Sequence, residues 1–297
     1  MITLSKRMLS YITAAAMLCT TGLLSGCSAN SSAASAPSAA ASGAAAASSA
    51  SGDKKVFKVA MECAYAPFNW TQTDDSNGAV PIEDSGAYCN GYDVQMAKKI
   101  AEGLGRELKI YKTEWTGIPS AIQSGKVDAG VCGMTVNSER EKAFTFTDAY
   151  YLADFVVLTK KDGKYADAKS IADLKGAVCT SQQSTAWYDL LPQIPGGTIL
   201  PALADVPTML VALSSGKCDI ETANRPTGLS AVKSNPDLKM IAFDGDNGFK
   251  IEPNQTHVSV ALSKGNDEMK EKINKILSGI SEDERAKMMD EAIEFQP

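Results

Sequence analysis

One short segment occurs twice in this chain of 297 residues. Residues 121–128 read AIQSGKVD, and residues 212–219 read ALSSGKCD. Each copy has the pattern of the end of an amphipathic helix. A glycine follows the last turn, and an aspartate then leads into a strand. A segment repeated once, far along the chain, predicts two lobes built on one αβ plan, because a solenoid needs at least three stacked units. We therefore expect function in the cleft between the lobes, where each copy ends.

The first 27 residues have the pattern of a secretory signal. Lys6 and Arg7 form a basic start, residues 8–24 are mostly apolar, and the letters LSGC close the segment at Cys27. This closing sequence resembles the lipobox of bacterial lipoproteins, which implies that Cys27 is lipidated and begins the mature chain. An uncleaved membrane-spanning helix is the alternative. The small residues before Cys27 and the tract after it favour cleavage.

Residues 28–55 are rich in Ala, Ser and Gly and lack the large apolar side chains that a packed core needs. They predict a flexible tether between the lipid and the folded part. Removal of Lys6 and Arg7 with the signal leaves 27 of the 29 basic residues against 35 acidic ones, a net charge of −8. This charge argues against nucleic acid or an anionic membrane surface as a partner.

Five cysteines remain after residue 27, and no two of them form a CxxC pair. Zinc sites and thioredoxin-type redox motifs are therefore not indicated. Cys63 and Cys89 flank an acidic loop and could form a disulfide, but free thiols are an equally good interpretation.

Strands and helices alternate along the rest of the chain. Residues 56–61, 108–111 and 175–179 have strand patterns, and a helix is predicted from a cap at Asp93 to Leu104. This alternation predicts an α/β fold with two lobes, each a mostly parallel sheet flanked by helices. We expect residues 56–155 and 259–297 to form lobe 1 and residues 156–258 to form lobe 2.

An anion-binding site is a possible role for the segment after the first repeat. Ser138 and Glu141 have the spacing of a capping box, which would place Arg140 in the first turn of a helix. Free backbone N–H groups and a guanidinium there would suit a carboxylate or phosphate. The plain alternative is a capped helix with Arg140 in solvent. Residues 181–186, SQQSTA, offer similar donors in the second lobe, or a simple helix cap.

Aromatic residues near strand ends are further candidates for ligand contact. Tyr65 and Trp115 each begin a loop between a strand and a helix, and Glu62 could meet a cation or an amide. The alternative is that these aromatic side chains belong to the hydrophobic core, which is their more common place, and that Glu62 is a surface charge. His257 is the single histidine, and no nucleophile elbow, metal-ligand cluster or dinucleotide loop is present. The sequence thus predicts no catalytic residues, no metal and no cofactor.

Taken together, these segments resemble the polar-amino-acid family of solute-binding proteins that serve ABC importers, with the type II periplasmic-binding-protein fold. The residues that carry the resemblance are GYDVQMAKKIA at 91–101, YAPF at 65–68, the first SGKxD, GMT at 133–135, Arg140, FTD at 146–148 and YY at 150–151. The resemblance implies that Arg140 clamps a ligand carboxylate, and that Tyr65 and Trp115 enclose the ligand side chain. It implies supporting contacts from Glu62 at the far end of the ligand and from Gly133, Thr135 and Thr185 around the carboxylate.

The chain departs from the family pattern at three positions. Gln95 stands where the motif at 91–101 usually has an acid. Asn224 stands where the family usually supplies an acid for the ligand α-amino group, and Ser184 replaces a usual glycine. Two aromatics and Glu62 favour a cationic side chain, so we expect Lys or Arg before Gln or His.

The resemblance implies a monomeric, lipid-anchored protein outside the cytoplasm that closes on its ligand and delivers it to an ABC permease. The alternatives are a secreted lyase similar to cyclohexadienyl dehydratase, and an amino-acid-sensing module for a signalling receptor.

Overall fold

The computed structural model describes residues 55–297. The predicted signal segment, Cys27 and the predicted tether up to residue 54 lie outside these residues. Within the described part, no helix is both long enough and apolar enough to cross a membrane.

The strands, in chain order, are β1 (Val56–Met61), β2 (Ala64–Tyr65), β3 (Asn69–Gln72), β4 (Val80–Pro81), β5 (Tyr88–Asn90), β6 (Glu107–Lys112), β7 (Ala129–Gly130), β8 (Phe144–Leu152), β9 (Phe155–Lys160), β10 (Val178–Thr180), β11 (Thr198–Ile199), β12 (Ile220–Asn224), β13 (Leu238–Ile241) and β14 (His257–Ser263). The helices are α1 (Tyr92–Gly103), α2 (Ile118–Gln123), α3 (Ser138–Ala143), α4 (Ala186–Leu190), α5 (Val206–Ser214), α6 (Arg225–Ser234), α7 (Asp267–Leu277) and α8 (Glu282–Phe295).

Two five-stranded sheets organise the described chain, with strand orders β6-β1-β7-β14-β8 and β11-β10-β12-β9-β13. In each sheet four strands share one direction and the fifth, β14 or β9, runs against them. The predicted α/β fold with two mostly parallel sheets is therefore confirmed. We call each sheet, with the elements packed on it, the first and the second lobe. A third sheet, of order β2-β3-β5-β4, precedes α1 in the chain.

Both faces of each large sheet are covered. Val59 and Ala60 are neighbours on β1 but pack into different apolar clusters, because successive side chains of a strand point to opposite faces. Val157 and Leu158 on β9 divide in the same way in the second lobe. The chain leaves the first sheet after Leu152 and is back in it at His257. The lobe bounds drawn from the sequence stay a prediction.

The repeated segment has the same structure in both lobes. Gly125 and Gly216 follow their helices with φ of +72° and +76°, a conformation that costs glycine little. Asp128 then accepts a hydrogen bond from the Lys58 backbone N–H at 2.8 Å, and Asp219 accepts one from the Val178 N–H at 2.9 Å. Each aspartate thus fixes the strand after its helix beside a parallel neighbour, β1 in the first sheet and β10 in the second.

Two local predictions are wrong in detail. Asp93 does not cap α1, since Gly91 is the cap residue and the Asp93 side chain turns inward to bind Asn69 and Tyr150. The strand predicted at 175–179 begins only at Val178, because Gly176 has a φ of +77° that ends extended pairing before it.

The five cysteines of the described residues are buried, and each is a free thiol. Cys63 and Cys89 therefore do not form a disulfide in this structure.

Candidate ligand-binding site

One cavity lies where the carboxyl ends of β1 and β7 face those of β10 and β12. This is where open α/β sheets generally bind ligands. Its lining residues are Glu62, Tyr65, Trp115, Gly133, Thr135, Arg140, Gln182, Thr185 and Trp187. The space between them has a volume of about 10 Å³, which holds about one water molecule. Seven of the eight ligand-binding residues predicted from the sequence line this cavity, and Asn224 does not.

Arg140 lies in the first turn of α3. The helix cap is Asn137, whose side chain accepts the Arg140 N–H at 2.8 Å, so the predicted cap at Ser138 is wrong by one residue. Asn137 takes this role because it has the extended backbone of a cap residue, while Ser138 is already helical.

The Arg140 guanidinium bridges the two lobes. One nitrogen, Nη1, donates to the Thr135 carbonyl and hydroxyl oxygens at 2.5 and 3.2 Å. The other, Nη2, donates to the Ser184 carbonyl at 2.8 Å. The guanidinium carbon also lies 5.4 Å from the centre of the Trp115 ring, within the range of a cation–π contact. Burial lowers the pKa of Arg140, but an arginine stays charged in proteins.

Aromatic rings form the walls of the cavity. The Tyr65 ring stacks on Phe68 with 4.8 Å between centroids and meets Trp187 at 5.7 Å. Trp115 crosses to the second lobe, where its Nε1 donates to the Gln183 carbonyl at 3.0 Å. Gly133 is required beside Tyr65, because a Cβ there would lie 2.3 Å from the Tyr65 Cε1 atom, and its φ is +64°.

Glu62 meets Gln182 across the cleft. The Gln182 Nε2 donates to the two Glu62 carboxylate oxygens at 3.0 and 3.3 Å, and to the Ala204 carbonyl at 3.1 Å. Burial is the main reason that the pKa of Glu62 is raised to about 7, with the Gln182 hydrogen bond opposing it. Asp205 and Glu114 raise this pKa further. Near pH 7, the Glu62 side chain is therefore present in both its neutral and its charged form.

The turn from β10 to α4 supplies the wall from the second lobe. Thr185 caps α4, and its hydroxyl donates to the Gln182 carbonyl at 2.7 Å while accepting from the Tyr188 N–H. Ser184 has a φ of +55°, so the position keeps the left-handed backbone that a glycine would adopt easily. The sequence interpretation missed Gln182 and Trp187. The signal for Gln182 was its place in the same strand-to-helix turn as Thr185, and the signal for Trp187 was its place in the first turn of the helix that Thr185 caps.

Asn224 is buried at the end of β12, behind the cavity wall. Its Oδ1 caps α6 by accepting the Thr227 N–H at 2.9 Å, and its Nδ2 donates to the Tyr65 hydroxyl at 2.6 Å. Both polar atoms of the side chain are thus engaged by the protein. Asn224 reaches the site through Tyr65.

The model for bacterial extracellular solute-binding proteins, family 3, matches residues 57–293, which is nearly all of the described chain. This chain belongs to that family. Two relatives are L-cystine-binding proteins. TcyJ of Escherichia coli strain K12 is 27% identical over 225 residues, covering 76% of this chain and 77% of TcyJ. TcyA of Bacillus subtilis is 28% identical over 232 residues, covering 77% and 78%.

Solved structures agree with the family assignment. An amino-acid ABC transporter substrate-binding protein from Streptococcus pneumoniae, bound to L-arginine, is 25% identical with a TM-score of 0.70. The match covers 80% of this chain and 93% of that one. The type II periplasmic-binding-protein fold and the membership of an amino-acid-binding family, both implied by the sequence resemblance, are confirmed.

Proposed function

We propose that this protein is the substrate-binding component of an amino-acid ABC importer and that it binds a polar amino acid between its lobes. The observation that carries this proposal is the pairing of Arg140 and Glu62 as the charged side chains of one aromatic-lined cavity. Arg140 presents a guanidinium fork that suits a ligand carboxylate. Glu62 is the carboxylate available to a positive or amide group of the same ligand.

A cationic side chain suits the acid end of the cavity best. The charges of Asp205 and Glu114 each raise the pKa of Glu62, and the opposing effect of Lys112 is smaller than either. A ligand cation would relieve this repulsion and gain cation–π contact with the aromatic walls. We therefore rank lysine and arginine first, then glutamine and histidine. The L-cystine-binding relatives add cystine to the compounds to be tested.

Binding would proceed by hinge closure. Hydrogen bonds join the lobes at the cavity through the pairs Glu62–Gln182, Tyr65–Asn224, Trp115–Gln183 and Arg140–Ser184. The cavity has room for about one water molecule, so the lobes must separate to admit an amino acid. The hinge would be the two segments by which the chain passes between the lobes, after Leu152 and before His257. The ligand then replaces part of these contacts and holds the lobes together, and the permease recognises the closed form. The family's extracellular role supports a location outside the cytoplasm, and the LSGC sequence supports an anchor at Cys27.

The deciding experiment is a thermal-shift screen of the purified chain with the twenty amino acids and L-cystine. Ligands that bind only the folded state raise the melting temperature. We expect lysine or arginine to give the largest shift, with calorimetry confirming one bound ligand per chain. A screen in which no compound raises the melting temperature would refute amino-acid binding.

A lyase is the second candidate, and one observation favours it. Glu62 combines burial in a cavity with a pKa of about 7, which are properties of a general acid. A secreted enzyme similar to cyclohexadienyl dehydratase would need such a group. We expect no turnover of prephenate or arogenate by the purified protein, since the relatives are binding proteins. Product formation that Glu62→Gln abolishes would reverse the ranking.

A further inference from the structure

Asp93 belongs to the most family-like motif of the chain, yet it neither caps α1 nor lines the cavity. Its side chain is fully buried in the first turn of α1. A buried carboxylate is costly unless its oxygens are hydrogen-bonded. The partners of its two oxygens therefore indicate what the residue does.

The first oxygen reaches the segment that carries Glu62 and Tyr65. Asp93 Oδ2 accepts a hydrogen bond from Asn69 Nδ2 at 2.7 Å. The same amide's Oδ1 accepts the Cys63 backbone N–H, also at 2.7 Å. Cys63 has a φ of +53°, a left-handed conformation that is unfavourable for a residue with a side chain. This hydrogen bond therefore holds the turn that points Glu62 and Tyr65 into the cavity.

The second oxygen reaches the opposite wall. Asp93 Oδ1 accepts the Tyr150 hydroxyl proton at 2.6 Å, and the Tyr150 oxygen accepts the Gly133 backbone N–H at 3.0 Å. Gly133 lies against the Tyr65 ring, with no space for a Cβ between them. The second arm thus fixes the backbone on which the Tyr65 ring rests.

We infer that Asp93 is a positioning residue for ligand binding, whose two carboxylate oxygens hold the Glu62–Tyr65 turn and the Gly133 wall in one geometry. The inference rests on the proposed function, because it assigns to that site a support outside the cavity. The burial of every member of the network supports it, since water cannot replace a lost partner there.

The hydrogen-bond directions specify an exacting test. In Asp93→Asn, either orientation of the new amide loses a hydrogen bond. With Oδ1 toward Asn69, Nδ2 donates to the Tyr150 oxygen and the Tyr150 hydroxyl proton loses its acceptor. With Oδ1 toward Tyr150, the new Nδ2 faces the Asn69 Nδ2, so two donors oppose each other. Turning the Asn69 amide moves the conflict to the Cys63 N–H. The exchange variant, which combines Asn69→Asp with Asp93→Asn, removes the conflict, because the carboxylate at position 69 accepts from both the amide at position 93 and the Cys63 N–H. Every hydrogen bond of the network is then restored with the acid on the other residue.

A matched control is available in the same cluster. Tyr92 is fully buried next to Tyr150, and its hydroxyl donates to the Tyr150 carbonyl at 2.8 Å. Tyr92→Phe therefore removes a buried hydroxyl that bonds to the Tyr150 backbone, and it leaves every side-chain hydrogen bond of the two arms in place. Tyr150→Phe removes the hydroxyl that links Asp93 Oδ1 to the Gly133 N–H and leaves the arm through Asn69 in place.

The experiment measures, on the full chain, the Kd of L-arginine or of whichever amino acid stabilises the wild type most. We expect Asp93→Asn and Tyr150→Phe to weaken binding at least tenfold, Tyr92→Phe to change it less than threefold, and the exchange variant to recover most of the loss. Equal affinity in wild type and Asp93→Asn would overturn the inference. So would an exchange variant that folds and still binds as weakly as Asp93→Asn.

A measurement without ligand separates this inference from the proposed function. Amide hydrogen exchange at Cys63 and Gly133 should accelerate at least tenfold in Asp93→Asn, and both should slow again in the exchange variant. If no amino acid binds the wild type, the proposed function fails while the exchange rates still decide whether Asp93 holds both walls. Unchanged protection at both amides would refute the positioning role. Should Asp93→Asn not fold, the exchange variant and Tyr150→Phe carry the same comparison.

Discussion

The Asn224 amide donates a hydrogen bond to the Tyr65 hydroxyl at 2.6 Å, joining the end of β12 in the second lobe to an aromatic wall of the first. The two residues are 159 positions apart in the chain. At the position where the family usually has an acid, this protein thus has a side chain that binds its own tyrosine.

The bond between these two residues predicts how substitutions at position 224 affect folding. Asn224→Ala removes the cap of α6, worth about 1 kcal/mol, and the bond to Tyr65, worth about 1 kcal/mol. Asn224→Asp keeps the cap, and the Tyr65 hydroxyl can turn to donate. Urea unfolding should therefore show a loss of about 2 kcal/mol for Asn224→Ala and a smaller loss for Asn224→Asp. Equal losses would contradict the assignment.

Arg140 should be essential for binding. Its guanidinium is the cation that the cavity offers to a ligand carboxylate, so Arg140→Ala should cost about 2–5 kcal/mol of binding, at least about thirtyfold in Kd. Lys142→Ala is the matched control, because Lys142 is an exposed cation on the same helix. Calorimetry with the amino acid that stabilises the wild type most provides the measurement. Unchanged ligand affinity in Arg140→Ala would show that Arg140 does not bind the ligand.

Glu62 should make the binding of a cationic amino acid depend on pH. The pKa of Glu62 is raised to about 7, and a ligand cation needs the charged form. Affinity should therefore rise about tenfold between pH 6 and pH 8, as expected for one proton released on binding. Glu62→Gln should bind more weakly and lose this dependence. An affinity of the wild type that is flat over the same range would show that the ligand does not meet this carboxylate.

Glu221 should make folding stability depend on pH. This side chain is buried on β12, one carboxylate oxygen has no hydrogen-bond partner, and burial raises its pKa to about 9 from the ordinary 4.5. Because the folded state holds the proton more tightly, its stability should fall as pH rises from 4.5 to 9, by up to about 1.4 kcal/mol per pH unit.

The test of Glu221 compares two variants by denaturant unfolding at pH 6, 7 and 8. Glu221→Gln keeps the shape of the protonated acid and removes the titration. The free energy of unfolding of this variant, relative to that of the wild type, should therefore increase with pH. Glu252→Gln alters an exposed acid and should track the wild type. An advantage of Glu221→Gln that stays constant over this range would contradict the raised pKa.

The end of α8 should influence lobe closure from outside the cavity. Met288 and Met289 of α8 pack into the core of the first lobe, while Lys233 on α6 donates to the Ile293 and Glu294 carbonyls at 2.6 and 3.1 Å. These contacts join the two lobes, so their loss should favour the separated arrangement.

We therefore expect Lys233→Ala to weaken ligand binding by severalfold, although Lys233 does not line the cavity. Lys239→Ala is the control, because Lys239 pairs with the exposed Asp167 of the second lobe. Small-angle X-ray scattering of the ligand-free variant should show a larger radius of gyration than the wild type. Identical affinity and scattering would exclude a role for this contact in closure.

Local signals account for the parts of the fold that were predicted correctly. Gly125 and Gly216 mark helix ends because few other residues adopt a positive φ readily, and this preference acts within a few positions of the chain. The cap of α3, predicted from local residue preferences at Ser138, was wrong by one residue. Asn137 and Ser138 are both good cap residues, and the choice between them depends on which of the two has extended backbone.

The sequence by itself determined the two-lobed α/β fold, because periodicity and turn residues are properties of neighbouring positions. Its motifs showed the resemblance to the family, and that resemblance pointed to seven residues that line the cavity. Only the tertiary structure placed Gln182 on Glu62, 120 positions away, and turned Asp93 from a supposed helix cap into a link between Asn69 and Tyr150. It likewise moved Asn224 from the cavity to the back of Tyr65. These contacts join strand ends that meet only when both sheets have formed, and no pattern within one segment encodes them.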